Sequence, residues 1–466
     1  MNKARLPSEF ADALRAIVGA AHVRVDEASL QTYGADALKR GHPADAVVLP
    51  ENADQISAIV RLCGAHGVPV VPRGGGTGYT GGSVPVRGGV VVSLERMNRI
   101  LEIDEANLVA VVEPNVITGD LQDAVERVGL FYPPDPASLR TSVIGGNVAE
   151  CAGGPRAFKY GTTKQYVLGL QAVLPNGDVI ETGGKVVKNV VGYDLTHLLV
   201  GSEGTLAIIT RIILRLVPRP PARSTLRATF QSIDDAARAV TNVIRARVVP
   251  AAIELVDGDS LQAVATYLPG RALAPVGTAA LLLIDVDGLA EAVKEEASRC
   301  EQACHDAGAT EILRARDDAE RDELWRVRRE LSLSLKTITP IKLNHDVVVP
   351  KGRIPQLFDL VGRLKRDFRL RIPCFGHAGD GNIHVNIMVT PGDEAEMGRA
   401  HEAERVLFEG VVALEGSISG EHGIGFAKAK YLPIELDEAT IAAMKRVKQA
   451  FDPQGLLNPG KIFPES

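Results

Sequence analysis

A chain of 466 residues with 45% hydrophobic and 24% charged residues has globular composition and enough length for two or three domains. Its net charge of -6 and its 4% aromatic content argue against a nucleic-acid partner, which needs basic patches or stacking platforms. No apolar run reaches the ~18–20 residues of a membrane span, Met1–Arg5 opens without an apolar signal core, and the five scattered cysteines fit reduced thiols rather than a disulfide framework. A cytoplasmic protein is expected, with peripheral contact at the inner membrane left open.

In chain order, residues 7–21 carry Phe10, Leu14, Ile17 and Val18 at helical spacing. A short strand at 46–50 precedes a helix over 55–66, with Asp54 as expected N-cap and Gly67 as stop. After the extended Val68–Pro72 comes Arg73-Gly74-Gly75-Gly76-Thr77-Gly78-Tyr79-Thr80-Gly81-Gly82. Glycines there let successive N–H groups face one concavity, where an anion can sit. Gly76–Gly81 matches G-x-G-x-x-G, but that pattern implies a dinucleotide fold only when a helix opens directly after it. Val84-Pro85-Val86-Arg87-Gly88-Gly89 and a strand at 90–94 follow instead, so a different phosphate-holding fold is expected.

Residues 108–113 read as a strand and 118–128 as a helix, then a loop-rich zone runs from Pro133 to Gly154. A strand at 167–174 turns at Asn176-Gly177, and Gly201-Ser202-Glu203-Gly204 leads into another strand. Three glycine-dense zones suggest a long ligand lying along backbone. Pro218–Arg223 marks a boundary. Beyond it, strands at 224–230, 251–256, 279–286 and 310–315 alternate with helices at 233–247 and 288–307, which suggests an antiparallel sheet with helices on one face. Cys300 and Cys304 read as packing residues of the second helix. A helix over 317–336, a strand over 342–349 and a helix over 353–367 follow.

The chemistry concentrates late in the chain, in His377-Ala378-Gly379-Asp380-Gly381-Asn382-Ile383-His384 and in Gly420-Glu421-His422-Gly423. Alternation over Ile383–Ile387 puts His384 and Asn386 on one strand face. A turn at Gly379 and Gly381 could fold both imidazoles towards one point. Two imidazoles and a carboxylate suit a divalent ion with positions left open. The spacing alone equally fits two polar strand-end histidines.

Residues 74–82, Ser142–Asn147 and Gly201–Leu206 resemble the FAD-binding domain of vanillyl-alcohol-oxidase-type flavoproteins. Over nearly its whole length the chain resembles their D-2-hydroxyacid dehydrogenase branch, which holds D-lactate dehydrogenase, the glycolate oxidase flavoprotein subunit and D-2-hydroxyglutarate dehydrogenase. The resemblance implies an α+β fold: a two-subdomain FAD-binding domain over 1–218, an α+β cap domain with an antiparallel sheet over 219–415, and a segment over 416–466 returning to the FAD domain. It implies FAD held by Arg73, Gly74, Gly75, Gly76, Thr77, Gly78, Gly81 and Gly82; by Pro134, Asp135, Thr141, Ser142, Gly145, Gly146 and Asn147; by Gly153, Gly154, Tyr160 and Gly161; and by Glu203, Gly204, Ile208 and Asn458. Residues 74–82 contain no His or Cys, so noncovalent FAD is expected, although Cys151 lies in the second zone.

By the same resemblance His377, His384 and Glu421 are ligands of a divalent metal, with zinc expected and manganese the alternative. His422 is the catalytic base, Arg328 meets the substrate carboxylate, and Asn386 lines the metal pocket. D-2-hydroxyglutarate relatives carry a lysine where this chain has Asn344, and Lys342 is the nearby cation that could reach inward. Lacking that lysine, the chain is expected to oxidise D-lactate or glycolate. D-2-hydroxyglutarate dehydrogenation, a subunit role in a glycolate oxidase complex and a zinc hydrolase are the alternatives. The electron acceptor is left open among quinone, cytochrome, electron-transfer flavoprotein and oxygen, as is assembly as a homodimer or with partner subunits.

Overall fold

Apolar residues at helical spacing make the first helix, Ser8–Val18, which buries Phe10, Leu14 and Val18. It belongs to the first of two units, which takes residues 1–153, 162–219 and 421–466, while 154–161 and 220–420 form the second. The computed structural model describes residues 6–271 and 273–464, so the Met1–Arg5 opening lies outside it.

In the first unit, β1 (Val23–Arg24), β2 (Ala46–Val48), β3 (Val70–Arg73) and β4 (Val90–Ser93) form a sheet ordered β1-β2-β4-β3, with β4 parallel to both β2 and β3. Parallel strands are covered on both faces, and β4 is accordingly a buried Val-Val-Val-Ser run. β5 (Ile100–Asp104), β6 (Val109–Val112), β8 (Val167–Val173), β9 (Val179–Gly183) and β10 (Ile208–Arg215) form an antiparallel sheet ordered β5-β6-β10-β8-β9. β7 (Leu130–Phe131) and β11 (Val217–Pro218) pair separately.

Local signals explain most of these boundaries. Gly67 ends the Ala53–His66 helix in the left-handed region at φ 64°, and Asn176-Gly177 turns β8 into β9. No helix opens after the glycine loop; the chain reaches β4 instead. Three expectations need correction. The Ala53–His66 helix is capped by Asn52, which accepts from the Gln55 N–H, while Asp54 sits in the first turn near the positive helix end. The helix expected over 118–128 ends at Glu126, which leaves Val128 exposed. The zone around Gly145-Gly146, expected as loop, is a helix over Ile144–Glu150. Paired glycines weaken the helix signal, yet closeness requires one: a Cβ on Gly145 would stand 2.6 Å from the Pro114 Cβ.

The second unit is built on one antiparallel sheet ordered β15-β12-β14-β13-β17-β18-β16. Its strands are β12 (Ala222–Phe230), β13 (Ala252–Asp257), β14 (Ala280–Gly288), β15 (Glu311–Arg314), β16 (Ile341–Val348), β17 (Cys374–His377) and β18 (Asn382–Val389). Alternation splits β14: Leu281 and Leu283 join a cluster with Leu324, Trp325 and Leu331 of the Asp318–Ser334 helix and Leu261 of the Gly258–Tyr267 helix. Leu282 and Ile284, equally buried, face the other way, where Ile233–Arg245 and Ala290–Asp306 pack. Helices therefore cover both faces, which corrects the one-faced expectation. The helices Gly258–Tyr267 and Glu394–Ala413 were not anticipated; each starts at an aspartate cap, Asp257 or Asp393.

All five cysteines are free thiols, with Cys300 and Cys304 buried on Ala290–Asp306. Among the described residues no helix is long and apolar enough to cross a membrane. Leu331 seats the Asp318–Ser334 helix and is 0% exposed. Leu331→Ala is expected to cost ~2–5 kcal/mol, read as a lower denaturant midpoint.

Candidate active site

Strand register assembles a polar face in the second unit. His384 of β18 stands opposite Phe375 of β17 and Asp346 of β16; His377 stands opposite Glu254 of β13 and Asn382 of β18. Period-two alternation then gives Glu254, Phe375, His377, His384, Asn386, Asp346, Asn344 and Lys342 one common side. The histidine rings lie edge to face with centroids 5.3 Å apart.

The link between the histidines makes this pairing possible. Asp380 and Gly381 donate their N–H groups to the His377 carbonyl at 3.3 and 3.0 Å, closing a turn between β17 and β18. Gly381 has φ +88°, and a Cβ there would stand 1.9 Å from the Val349 carbonyl oxygen. Only glycine fits that turn without displacing strand backbone.

Glu254 is the group that sequence reasoning missed. It is 0% exposed. Its Oε1 lies 2.6 Å from His377 Nδ1, and its Oε2 forms an ion pair with Arg328 Nη2. Burial alone would push this carboxyl up, but Arg328 and His377 outweigh it and hold it below its ordinary value. An ionised carboxylate only accepts hydrogen bonds, so Nδ1 is the donor of this pair, and in the neutral ring Nε2 would be the nitrogen able to ligate a metal ion. The available signal was a lone carboxylate inside the apolar run Ala251-Ala252-Ile253-Glu254-Leu255-Val256.

Arg328 is buried on the Asp318–Ser334 helix, with its guanidinium 4.9 Å from the Phe375 ring centroid. The Phe375 ring lies 5.5 Å from that of His384. Asn344 donates to Asn386 Oδ1 at 2.7 Å, and Asn386 donates to the His384 carbonyl at 3.1 Å. Lys342 donates to Ser332 Oγ at 2.7 Å; burial, with Lys336 nearby, pushes its ammonium down to about 8. Asp346 Oδ2 accepts from the Gly420 N–H at 2.9 Å. The chain thus leaves this unit pinned to the cross-strand neighbour of His384, one residue before Glu421.

In the first unit, Glu421 and His422 sit against the glycine-rich zones. Thr80 Oγ1 donates to the His422 carbonyl at 2.9 Å, and the Tyr79 and His422 rings are 5.3 Å apart. A Cβ on Gly153 would stand 2.9 Å from Glu421 Oε2. Buried Glu203 accepts from the N–H groups of Ile424 and Gly425 at 2.8 and 2.6 Å. Asn458 donates to the carbonyls of Gly82 and Glu203 at 2.8 and 2.7 Å, tying the C-terminal segment to the glycine loop. Arg73 spans from that loop to the Ala35 carbonyl at 2.7 Å.

Several other expected flavin contacts are already engaged within the fold. Asn147 donates to Thr118 Oγ1 at 2.7 Å, Ile208 packs in the core of the first unit, and the Pro134 carbonyl accepts from Gln122 at 2.8 Å. Ser142 is buried and Thr141 exposed. Gly154, Tyr160 and Gly161 group with the second unit, where the Tyr160 hydroxyl donates to Asp287 Oδ2 at 2.8 Å. Cys151 Sγ lies 3.4 Å from Thr162 Oγ1.

Two family models match this chain: an FAD binding domain over residues 44–183, and the C-terminal domain of FAD linked oxidases over residues 219–462. It is 44% identical to glycolate oxidase subunit GlcD of Bacillus subtilis, covering 90% of this chain and 89% of that one. It is 36% identical to a D-lactate dehydrogenase of Anaerostipes hadrus, covering 90% and 89% respectively. Its fold matches 4-ethylphenol oxidase from Gulosibacter chungangensis with a TM-score of 0.80 at 22% identity, covering 98% of this chain and 97% of that one.

The turn allows a differential test. Gly392 shares the left-handed conformation, at φ +80°, but a Cβ there would meet nothing within 4 Å. Gly392→Ala is expected to cost ~1–2 kcal/mol from backbone strain alone. Gly381→Ala should lower the thermal midpoint distinctly further, because strand backbone must also move.

Proposed function

Because the chain belongs to the FAD-linked oxidase family, we propose that it oxidises a small D-2-hydroxy acid to the 2-oxo acid, with D-lactate and glycolate favoured. The observation that carries this proposal is the shared face of Glu254, His377 and His384 beside Arg328, with the Glu254 carboxylate set against His377 Nδ1. The two imidazoles, with the carboxylate of Glu421, would fit zinc, with manganese the alternative.

In this reading Arg73, the glycines of 74–82, Glu203 and Asn458 hold the flavin zone, and bound FAD supplies the acceptor for the Cα hydrogen and its electron pair. His377 and His384, with Glu421, would hold a divalent ion, which supplies a Lewis acid for the substrate hydroxyl and one carboxylate oxygen. The Gly420–Asp346 bond supports Glu421 as third ligand, since it anchors the preceding residue beside the partner of His384. His422 takes the hydroxyl proton on its imidazole, the side chain suited to that work at neutral pH. The Arg328 guanidinium turns its remaining N–H donors to the carboxylate. Asn386, braced by Asn344, presents a neutral polar wall. Lys342 adds a cation at the far end of this face. The name of the Bacillus subtilis relative favours a second reading, in which the chain works as the flavin-bearing subunit of a larger assembly.

Anaerobic flavin bleaching across D-lactate, L-lactate, glycolate, D-malate and D-2-hydroxyglutarate tests reaction class, stereochemistry and chain length. Bleaching by D-lactate or glycolate is expected; no bleaching by any acid would refute the proposal. His422→Ala should slow bleaching by ~10²-fold or more, and wild-type speed in that variant would remove the base assignment.

Lys342 adds a pH prediction. Its ammonium discharges near pH 8, so KM for the acid should rise above about 8 in wild type and stay flat in Lys342→Met. Lowering from 10.5 to about 8 sets ~3 kcal/mol against holding the charge at neutral pH, so Lys342→Met should be the more stable protein there. Between those two pH values the folded state binds fewer protons than the unfolded one, so wild type should regain stability on the variant as pH rises through that window.

A further inference from the structure

We propose that Glu254 is a positioning residue that couples the metal ligand His377 to the guanidinium of Arg328, so that affinity for the metal and affinity for the acid are set together. The proposal rests on the metal and hydroxy-acid reading above and deepens it.

The geometry is a closed circuit on one sheet face. Glu254 Oε1 meets His377 Nδ1 at 2.6 Å. The His377 ring meets that of His384 at 5.3 Å, and His384 meets Phe375 at 5.5 Å. Phe375 lies under the Arg328 guanidinium at 4.9 Å, and Arg328 returns to Glu254 Oε2 through an ion pair. Each oxygen of one carboxylate thus fixes a different functional group. A carboxylate at 0% exposure is sustained in the interior only by such partners, so neither half is expendable.

Two consequences follow for the site. A carboxylate behind a ligating imidazole fixes its tautomer and ring plane and raises its basicity towards a metal. Arg328, part-neutralised by Glu254, supplies directed N–H donors rather than a free positive charge, and its guanidinium is fixed from strand β13 as well as from its own helix.

The test measures zinc binding to the FAD-loaded full chain by competition with a chromophoric chelator, and KM and kcat for D-lactate and glycolate at saturating zinc. Glu254→Gln keeps the shape and loses the charge. Zinc affinity is expected to fall ~10–100-fold and KM to rise more than kcat falls, with the flavin spectrum retained; Glu254→Asp should recover part of the zinc affinity. A purely structural role predicts instead that flavin content, thermal midpoint and zinc affinity decline together in both variants, and that outcome overturns the proposal. Zinc affinity unchanged in Glu254→Gln overturns it as well. Should Glu254→Gln fail to fold, Arg328→Met carries the test: a zinc affinity changed by ~10-fold supports the coupling, and an unchanged one overturns it. Wild-type protein that takes up no divalent ion overturns the metal reading, and this proposal with it. That result is distinct from failure of the proposal alone, in which wild type and variants take up zinc equally.

Discussion

An ionised carboxylate removed from water loses several kcal/mol of hydration, and only hydrogen-bonded partners of opposite or polarisable charge restore it. Glu254 imposes that constraint on the second unit. It sits in a strand whose neighbours are apolar, so its oxygens cannot turn to solvent. The antiparallel register of β13 with β17 delivers one partner, His377, directly across the ladder. The Asp318–Ser334 helix, seated by Leu324, Trp325 and Leu331, delivers the other, Arg328. Sheet pairing and helix packing are therefore both needed to satisfy one side chain. The groups that satisfy it are those that the proposed oxidation of a hydroxy acid would use.

A similar economy of backbone groups orders the first unit. The glycine loop, the turn at Glu203 and the C-terminal segment hold few regular ladder bonds of their own. Two polar side chains tie them together: Asn458, bonded to the carbonyls of Gly82 and Glu203, and Glu203, bonded to the amides of Ile424 and Gly425. Both residues hold positive φ, 45° for Asn458 and 52° for Glu203. Strained backbone of this kind persists where surrounding bonds over-determine it, as ligand-binding loops commonly require. His422 inherits its placement from this web through Thr80.

Much of the local structure was legible because it depends on residues close in sequence. Gly67 ends a helix since glycine tolerates the left-handed cap, and Asn176-Gly177 turns a hairpin for the same reason. Apart from the Gly258–Tyr267 helix, the strands and longer helices between 222 and 367 followed from their apolar periodicity, within a few residues at each end. The failures have equally local causes. Asn52 and Asp54 are both good caps, and propensity could not choose between them. Gly145-Gly146 hid a helix that is held by packing against Pro114 rather than by propensity. That the Asp318–Ser334 helix, itself expected, covers a second face of the sheet was not legible, because a fully buried strand such as β14 has no polar alternation to reveal which face is covered.

The sequence by itself determined the inventory: glycine-rich loops without a following helix, two histidines on either side of a glycine turn, a Glu-His pair further along the chain, and an arginine-bearing helix. Those features are set by residue type and short-range geometry, and they sufficed to indicate a flavin-binding family. Only the tertiary structure decided what those residues meet. That Glu254 stands behind His377 and also grips Arg328, that Asn344 braces Asn386, and that Gly420 is pinned to Asp346 depend on contacts spanning 42 to 123 positions of chain. Strand register sets those contacts, and register is chosen by the burial of whole faces, a collective quantity that no single segment carries.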